Sequence, residues 1–329
     1  MNGNEELGIL AGKKHLEYRG DMNEYILQTR QLGKRYGNRW AVKNLNLEVR
    51  RGDVFGFLGP NGAGKSTTIR MVLSLIRPTL GETELFGYPL KSHRSDALRR
   101  VGGIVEKPDF YLYLSAYKNL QIIGALTGGA DRKRIMEVLD LVGLTRRASD
   151  RVKTYSHGMK QRLGIAQALL SDPELIILDE PTNGLDPQGM KEVRDLIVHL
   201  SQDKKKTVIL SSHLLNEIEL VANRMAIINN GELVVQGEVS TLLDEGEKYV
   251  LIKAKPREKV ESVLKLRKNN AGDYTVKNET FEVKMDFDDI PELNKALVRA
   301  GVQVQALIPK RSLEDLFLSM TEHSHEARA

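Results

Sequence analysis

Residues 59–67 read GPNGAGKST, directly after the apolar stretch 55–58. This spacing is that of a phosphate-binding loop, in which glycines let the backbone wrap an anion and a lysine and a hydroxyl follow. A helix opening near Gly64 would point its unpaired N–H groups and the positive end of its dipole at the same anion. The stretch therefore predicts an α/β nucleotide-binding protein whose phosphate site lies between a strand and a helix.

Two side chains of this loop have separate chemical tasks. Lys65 is expected to reach the β- and γ-phosphate oxygens, and Ser66 is expected to ligate Mg²⁺. A plain glycine turn before a helix is the alternative, and the full match to the pattern argues against it. We expect ATP and Mg²⁺ as cofactors, held by Gly59, Asn61, Gly62, Ala63, Gly64, Lys65, Ser66 and Thr67.

Two further apolar runs end in polar residues, as the first run does. The runs 175–178 and 208–210 precede the pairs Asp179–Glu180 and Ser211–Ser212, and His213 comes next. Continuous apolar composition is typical of parallel strands buried on both faces, and ligands collect at the carboxyl ends of such strands. The sequence therefore predicts that these polar residues meet the phosphate loop at one edge of a mostly parallel sheet.

The acidic pair predicts the chemistry of that edge. We expect Asp179 to join the Mg²⁺ shell and Glu180 to polarise a water in line with the γ-phosphate. His213 is expected to contact the γ-phosphate as a polar sensor. An acidic turn after a strand and a surface or helix-capping histidine are the simpler alternatives.

The remaining chain divides by its periodicity. Alternation over 25–30 and 41–49 predicts a small antiparallel sheet before the phosphate loop. Helices are expected over 67–76 and from Pro187 onward, and an all-helical subdomain over about 92–170.

After Gly237 the order strand, helix, strand, strand, helix, strand predicts a split βαβ, ferredoxin-like α+β accessory domain. A last helix is expected from Ser312, with Asp315 completing its capping box and an apolar face of Leu313, Leu316, Phe317 and Met320. The sequence contains no cluster of catalytic groups there, so the role of this domain stays open.

Length and composition limit the organisation. The chain has 329 residues, a formal charge of +5, a pI near 9.1 and no cysteine, which excludes disulfides and thiolate chemistry. No stretch has the eighteen or so apolar residues of a membrane-spanning helix. We expect a disordered leader or extension over 1–21, an ATPase domain over 22–238 and the accessory domain over 239–329.

Three more motifs carry a family resemblance. In order after the phosphate loop come YSHGMKQRLGIAQAL at 155–169, ILDEPTNGLDP at 177–187 and LSSHLLNEIE at 210–219. Together they resemble the ATPases of ABC transporters over about 25–237, which implies a P-loop NTPase fold. Glu106 and the tail SLEDLFLSMTE resemble the bacitracin and lantibiotic branch of bacterial export ATPases.

The resemblance implies further site residues. Ser156 and Gly158, in a signature loop with His157, Met159 and Lys160, would close over the ATP of an opposite subunit. Asp186 would contact the dimer partner. Helix N-caps are the alternative for both Ser156 and Asp186.

Two residues of the front sheet would contact the nucleoside. Tyr36 would stack on adenine, and Val42 would lie near the ribose. A half-buried strand aromatic is the alternative for Tyr36.

Two positions depart from the family pattern. Glu106 stands where most relatives have glutamine, so it could approach Mg²⁺ or water as an acceptor and could not donate to a phosphate as an amide does. Met159 replaces a polar residue and removes a polar contact across the dimer.

The resemblance implies an ATP-hydrolysing exporter subunit, peripheral on the cytoplasmic face of the membrane. It would pair with itself or another ATPase subunit and drive a separate integral membrane permease, with antimicrobial peptides or drugs as cargo. The segment from Phe110 to Leu114 could receive the permease, or could pack internally. The alternative is a soluble ABC ATPase acting on ribosomes or nucleic acid, but the chain has no repeat and no sustained heptad, so no nucleic acid is expected.

Overall fold

The structure is a computed structural model that describes residues 24–106, 108–245, 247–266, 274–277 and 279–312. Its strands are β1 (Tyr25–Tyr36), β2 (Arg39–Leu45), β3 (Glu48–Arg50), β4 (Val54–Leu58), β5 (Leu80–Leu85), β6 (Tyr88–Pro89), β7 (Val101–Ile104), β8 (Leu175–Leu178), β9 (Thr207–Ser212), β10 (Arg224–Asn229), β11 (Glu232–Glu238), β12 (Glu247–Lys255), β13 (Tyr274–Lys277), β14 (Thr280–Lys284) and β15 (Gln303–Ser312). Its α-helices are α1 (Lys65–Val72), α2 (Arg94–Leu98), α3 (Ala116–Leu126), α4 (Arg132–Leu141), α5 (His157–Leu169), α6 (Pro187–Gln202), α7 (Leu215–Glu219), α8 (Val239–Glu245), α9 (Arg257–Leu266) and α10 (Ile290–Arg299).

A six-stranded sheet in the order β11-β10-β4-β9-β8-β7 forms the centre of the ATPase part. Strands β10, β4, β9, β8 and β7 are parallel, and β11 closes the edge antiparallel to β10. The strands predicted from the three apolar runs are confirmed as β4, β8 and β9. Their side chains alternate between two apolar clusters, one on each face of the sheet, which explains the continuous apolar composition.

A five-stranded sheet lies in front of the central sheet, and β1 pairs antiparallel with β2, β3 and β5. The predicted antiparallel front sheet is confirmed. Its apolar face joins the same cluster as Phe55 and Phe57 of β4 and Ile69 of α1. The front sheet therefore supports the segment that carries the phosphate loop.

The segment expected to be all-helical over 92–170 requires a correction at its start. Strand β7 lies within it and pairs parallel with β8. The sequence of β7, VGGI, lacks a continuous apolar run because two glycines interrupt it, so its composition does not indicate a strand. A Cβ on Gly102 would lie 2.1 Å from the backbone oxygen of Ala168, so glycine is what allows α5 to approach the strand.

Of the expected helices, α1 differs in extent from the structure and α6 agrees with it. Helix α1 covers Lys65–Val72 with Gly64 as its N-cap, so its start agrees with the expected opening near Gly64, and its end falls before the expected residue 76. Helix α6 begins at Pro187, with Asp186 as its N-cap, as predicted. The expected helix after Ser312 and the expected leader over 1–21 lie outside the described residues, apart from Ser312 itself, which ends β15.

The C-terminal part contains a four-stranded antiparallel sheet in the order β13-β14-β12-β15. Helices α9 and α10 pack on one face around Val250, Ile252 and Phe281. The order of elements along the chain confirms the predicted split βαβ, ferredoxin-like arrangement. Val239 and Leu242 of α8 pack with the ATPase core, so the change of core falls after α8.

None of the helices in the described part of the chain is both long and apolar enough to span a lipid bilayer.

Candidate active site

The carboxyl ends of β4, β9 and β8 bring the expected site residues together. Leu58 pairs with Ser212, and Leu178 pairs with Leu210, so the three strands end at nearly the same level. The phosphate loop follows β4, the acidic pair follows β8, and His213 follows β9. Residues more than a hundred positions apart in sequence therefore meet at one edge of the sheet.

The backbone of the phosphate loop depends on glycine at position 64. Gly64 is the N-cap of α1 with φ 109°, and a Cβ there would lie 2.6 Å from the Ala41 oxygen. No side chain caps the start of α1, so its first N–H groups point out of the helix toward the loop. Backbone bonds from Gly59 N–H to Ser212 (3.3 Å) and from Gly231 N–H to Ala63 (2.9 Å) anchor both halves of the loop.

Lys65 is a buried cation with three oxygen neighbours. Its side chain is 6 % exposed, and Nζ donates to the carbonyl oxygens of Gly59 at 2.7 Å and Pro60 at 3.2 Å. Oε1 of Glu180 lies 3.3 Å from the same nitrogen. A buried ammonium group is stable only with such partners, so the loop holds Lys65 in a defined position.

Glu180 is fixed by contacts with His213 and Ser211. Nδ1 of His213 lies 2.7 Å from Glu180 Oε2. With Glu180 ionised the carboxylate only accepts, so Nδ1 carries the hydrogen of this contact. The Glu180 backbone N–H donates to Ser211 Oγ at 2.9 Å, and the residue has φ 51°, a conformation uncommon for a residue other than glycine.

Ser211 also binds Asp179, a role that sequence reasoning did not assign to it. Its hydroxyl donates to Asp179 Oδ1 at 2.6 Å, and Asp179 is 6 % exposed. One hydroxyl thus orients both carboxyl residues, directly in one case and through the backbone in the other. The signal in the sequence was a serine directly after the buried run of β9, facing a strand that ends in carboxylates.

Glu106 has a different neighbour from the one expected. Its carboxylate pairs with the Arg70 guanidinium of α1, and the Glu106 side chain is 67 % exposed. Within the described residues no hydrogen bond or ion pair joins Glu106 to Ser66 or Asp179. The proposed role of Glu106 as a ligand of Mg²⁺ therefore stays a prediction.

The signature-loop residues and Asp186 lie at two adjacent helix starts. Ser156 caps α5 by accepting from Met159 N–H at 3.2 Å, and Asp186 caps α6 by accepting from Gly189 N–H at 2.8 Å. A Cβ on Gly158 would lie 3.8 Å from the Gly189 Cα, so the two helix starts are neighbours. The N-cap alternatives are thus real contacts, and they leave contacts with a second subunit open.

The two residues expected near the nucleoside differ in exposure. Tyr36 is 51 % exposed, and Lys34 Nζ lies 5.2 Å from the centre of its ring. Its stacking on adenine stays a prediction. Val42 is fully buried, and its Cγ2 would lie 3.1 Å from a Cβ on Gly64. Val42 therefore packs beneath the phosphate loop, and its contact with a ribose stays a prediction.

The matched family model is described as "ABC transporter", and it covers residues 42–183. The uncharacterized ABC transporter ATP-binding protein YhcH of Bacillus subtilis (strain 168) is 41 % identical over 303 residues, which are 92 % of this chain and 97 % of YhcH. The bacitracin transport ATP-binding protein BcrA of Bacillus licheniformis is 42 % identical over 297 residues, which are 90 % of this chain and 97 % of BcrA.

A solved structure gives the same architecture. It is the dimeric post-hydrolysis state of the ATP-binding cassette MJ0796 bound to ADP and Pi, which is 26 % identical with a TM-score of 0.58. The match covers 65 % of this chain and 98 % of that cassette.

Proposed function

We propose that this chain, which belongs to the family of ABC transporter ATP-binding proteins, hydrolyses ATP at the edge of its central sheet. It would do so as the energy-supplying subunit of an exporter. The observation that carries this proposal is the convergence of Lys65, Glu180 and His213 at the carboxyl ends of three adjacent parallel strands. Each side chain has the chemical type that phosphoryl transfer to water requires.

The residues at this edge fit a Mg²⁺ ion bound together with a nucleotide. Ser66 and Asp179 offer a hydroxyl and a carboxylate, which are hard oxygen ligands of the kind Mg²⁺ prefers. In the described ranges no group of three or more His, Cys, Asp or Glu side chains could hold a metal without help. Two protein ligands completed by phosphate oxygens and water are the usual arrangement. Bound there, Mg²⁺ would neutralise charge on the phosphate oxygens.

The chain's own residues then divide the work on the substrate. Lys65 and the first N–H groups of α1 bind the phosphates, because both present positive charge to one point. Glu180 accepts the proton of the attacking water. His213 holds the Glu180 carboxylate through Nδ1.

The proposed coupling of hydrolysis to export requires two paired ATPase subunits. The start of α5 carries Ser156 and Gly158, and its first N–H groups form a second helix N-terminus suited to an anion. MJ0796, a cassette of this fold, is dimeric with ADP and Pi bound. We infer that two subunits, either two copies of this chain or this chain and a related one, close on two Mg·ATP and that hydrolysis removes the phosphate bridging them.

The permease contact is proposed for the exposed aromatic segment after Glu106. Tyr111, Leu112 and Tyr113 are 53 %, 48 % and 67 % exposed, whereas Phe110 is buried. An apolar helix of a membrane partner would cover the three exposed side chains. This contact would hold the subunit at the cytoplasmic face of the membrane.

Export of an antimicrobial peptide or drug is proposed from the relatives. BcrA is named as a bacitracin transport protein and matches nearly the whole chain. The relatives reported above are named as ABC transporter or transport proteins, which favours transport over action on ribosomes or nucleic acid.

Substitution of Glu180 tests the hydrolytic role. We expect Glu180→Gln to retain ATP affinity and to lower kcat by roughly 10²- to 10⁴-fold, because the amide cannot accept the water's proton. The measurement is steady-state ATP turnover with a parallel equilibrium titration of nucleotide binding. The matched control is Glu232→Gln, which removes an exposed carboxylate paired with Lys43 and should leave turnover unchanged. Normal turnover by Glu180→Gln would remove Glu180 as the base.

A further inference from the structure

Glu217 is a buried carboxylate that the site described above does not use. It lies on α7, four residues after His213, and is 3 % exposed. Its Oε2 accepts a hydrogen bond from the Thr182 hydroxyl. Its Oε1 is buried and has no hydrogen-bond partner among the described residues. Burial of a carboxylate with an unpaired oxygen costs stability, so a contribution to function would explain its presence.

Thr182, the partner of Glu217, lies in the turn after β8 that carries Glu180. Thr182 is 6 % exposed and follows Glu180 by two residues, in the turn where Asn183 N–H donates to the Glu180 oxygen at 3.2 Å. That turn holds Glu180 at φ 51°. A residue other than glycine adopts this conformation at a cost, and keeps it only where surrounding contacts enforce it. The bond to Glu217 is one such contact.

Helix α7, which carries Glu217, packs closely on the central sheet. Ile218, the next residue, is fully buried against β4, and a Cβ on Gly56 would lie 2.3 Å from Ile218 Cγ2. The close packing on the central sheet fixes the position of α7. Glu217 is therefore able to hold Thr182 in place.

Four side-chain hydrogen bonds thus join the segment after β8 to the end of β9 and the segment that follows it. Ser211 binds Asp179 and the backbone of Glu180, and His213 binds the Glu180 carboxylate. The Thr182–Glu217 contact lies on the buried side of the same turn. The Ser211–Asp179 and His213–Glu180 bonds orient the two carboxylates, and the Ser211–Glu180 and Thr182–Glu217 bonds hold the backbone that carries them.

We propose that Glu217 is a positioning residue for hydrolysis, which acts through the Thr182 hydroxyl to hold the turn that presents Glu180 to the attacking water. This inference rests on the proposed role of Glu180 as the base. Misplacement of a base by a fraction of an ångström slows the chemical step and leaves substrate binding intact.

The test replaces the contact with an apolar pair. We expect Thr182→Val and the double variant Thr182→Val/Glu217→Leu each to lower kcat by about tenfold while KM for ATP changes less than about twofold. The double variant should unfold at a Tm no lower than that of Thr182→Val, because an apolar pair leaves no buried group unsatisfied. Thr182→Ser keeps the hydroxyl and should restore kcat to near the original value. Thr29→Val removes another buried threonine hydroxyl, bound to Leu45 in the front sheet, and should lower Tm without changing kcat.

Two results would overturn the inference. One is an unchanged kcat in Thr182→Val, and the other is a loss of kcat in Thr182→Ser equal to that in Thr182→Val. If the double variant does not fold, the comparison of Thr182→Val with Thr182→Ser still decides. Failure of the proposed function is distinguishable, because it would appear as normal turnover in Glu180→Gln whatever the Thr182 variants do.

Discussion

The residue that connects the parts of the site is Glu180. Its Oε1 faces Lys65 and its Oε2 faces His213, so one carboxylate is shared by the phosphate loop and the end of β9. We expect a phosphate that arrives at the loop to compete with Glu180 for Lys65, because both are anions. His213 then remains as the partner that keeps Glu180 oriented. We therefore expect the same side chain to respond to nucleotide binding and to act in hydrolysis.

Replacement of Lys65 tests the phosphate-binding half of this arrangement. We expect Lys65→Ala to weaken ATP binding by roughly 10- to 100-fold, the range that corresponds to one or two charge-assisted hydrogen bonds. Equilibrium titration with a fluorescent ATP analogue measures the Kd. Lys248→Ala, which removes an ion pair with Asp286 in the C-terminal part, is the control and should bind as the original protein does. Equal affinity in both variants would argue against the loop as the phosphate site.

Much of the site at this scale follows from the sequence, because motif residues carry their own chemistry. The approach of Lys65, Asp179, Glu180 and His213 to one edge follows from their places after parallel strands. The partners of these residues do not follow. Ser211 and Thr182 contact side chains more than thirty positions away in the sequence. Arg70 of α1 contacts Glu106, which follows β7. Such contacts depend on strand register and side-chain rotamer, which local sequence does not specify.

At the scale of elements, β7 shows how packing determines a strand that composition hides. Two glycines in its four residues reduce the hydrophobic signal, and α5 approaches the strand closely at Gly102. The apolar strands β4, β8 and β9 were predictable because burial on both faces leaves a continuous run. The extent of α1 was less predictable, because Leu73, its C-cap, is as apolar as the helix interior.

Substitution of Gly102 tests this close approach. We expect Gly102→Ala to lower the free energy of unfolding by about 1–3 kcal/mol, because the added Cβ meets the backbone oxygen of Ala168, which cannot rotate away. Gly103→Ala is the matched control in the same strand, since its Cβ would meet the end of the flexible Leu73 side chain at 3.2 Å. Urea unfolding measures both variants. Equal stability losses would contradict the packing argument.

The start of β8 carries a pH-sensitive ion pair. Hydrogen bonds from Arg100, with Arg51 adding to them, lower the pKa of Glu174 from 4.5 to about 2. A pKa lowered by folding means that the stabilisation is present above about pH 4.5 and is lost as the pH falls toward 2.

Glu174→Gln should therefore be less stable than the original protein at pH 7, and the difference should shrink as the pH falls from 4.5 to about 2. Glu174 is more than a third exposed, so solvent screening limits the effect to about 1 kcal/mol or less. Urea unfolding at several pH values measures it. A difference that stays constant or grows with acidity would have the wrong sign.

At the scale of the whole molecule, the chain joins an ATPase core to a C-terminal part that has its own apolar cluster. The order of elements predicted both parts, because the hydrophobic period changes after Gly237. The sequence could not predict that α8 packs with the ATPase core, since Val239 and Leu242 would suit either cluster. Pairing of subunits likewise depends on exposed surfaces, and only the resemblance to ABC transporter ATPases predicted it.

In the proposed cycle, ATP closes two subunits on each other and hydrolysis releases them. The most direct measurement is the molar mass of Glu180→Gln, by size-exclusion chromatography with light scattering, with and without Mg·ATP. A homodimer is predicted with Mg·ATP and a monomer without it, and Lys65→Ala/Glu180→Gln should stay monomeric in both. A Glu180→Gln protein that binds Mg·ATP and remains a single subunit, alone and when mixed with its membrane partner and a related ATPase subunit, would show that nucleotide does not close the pair.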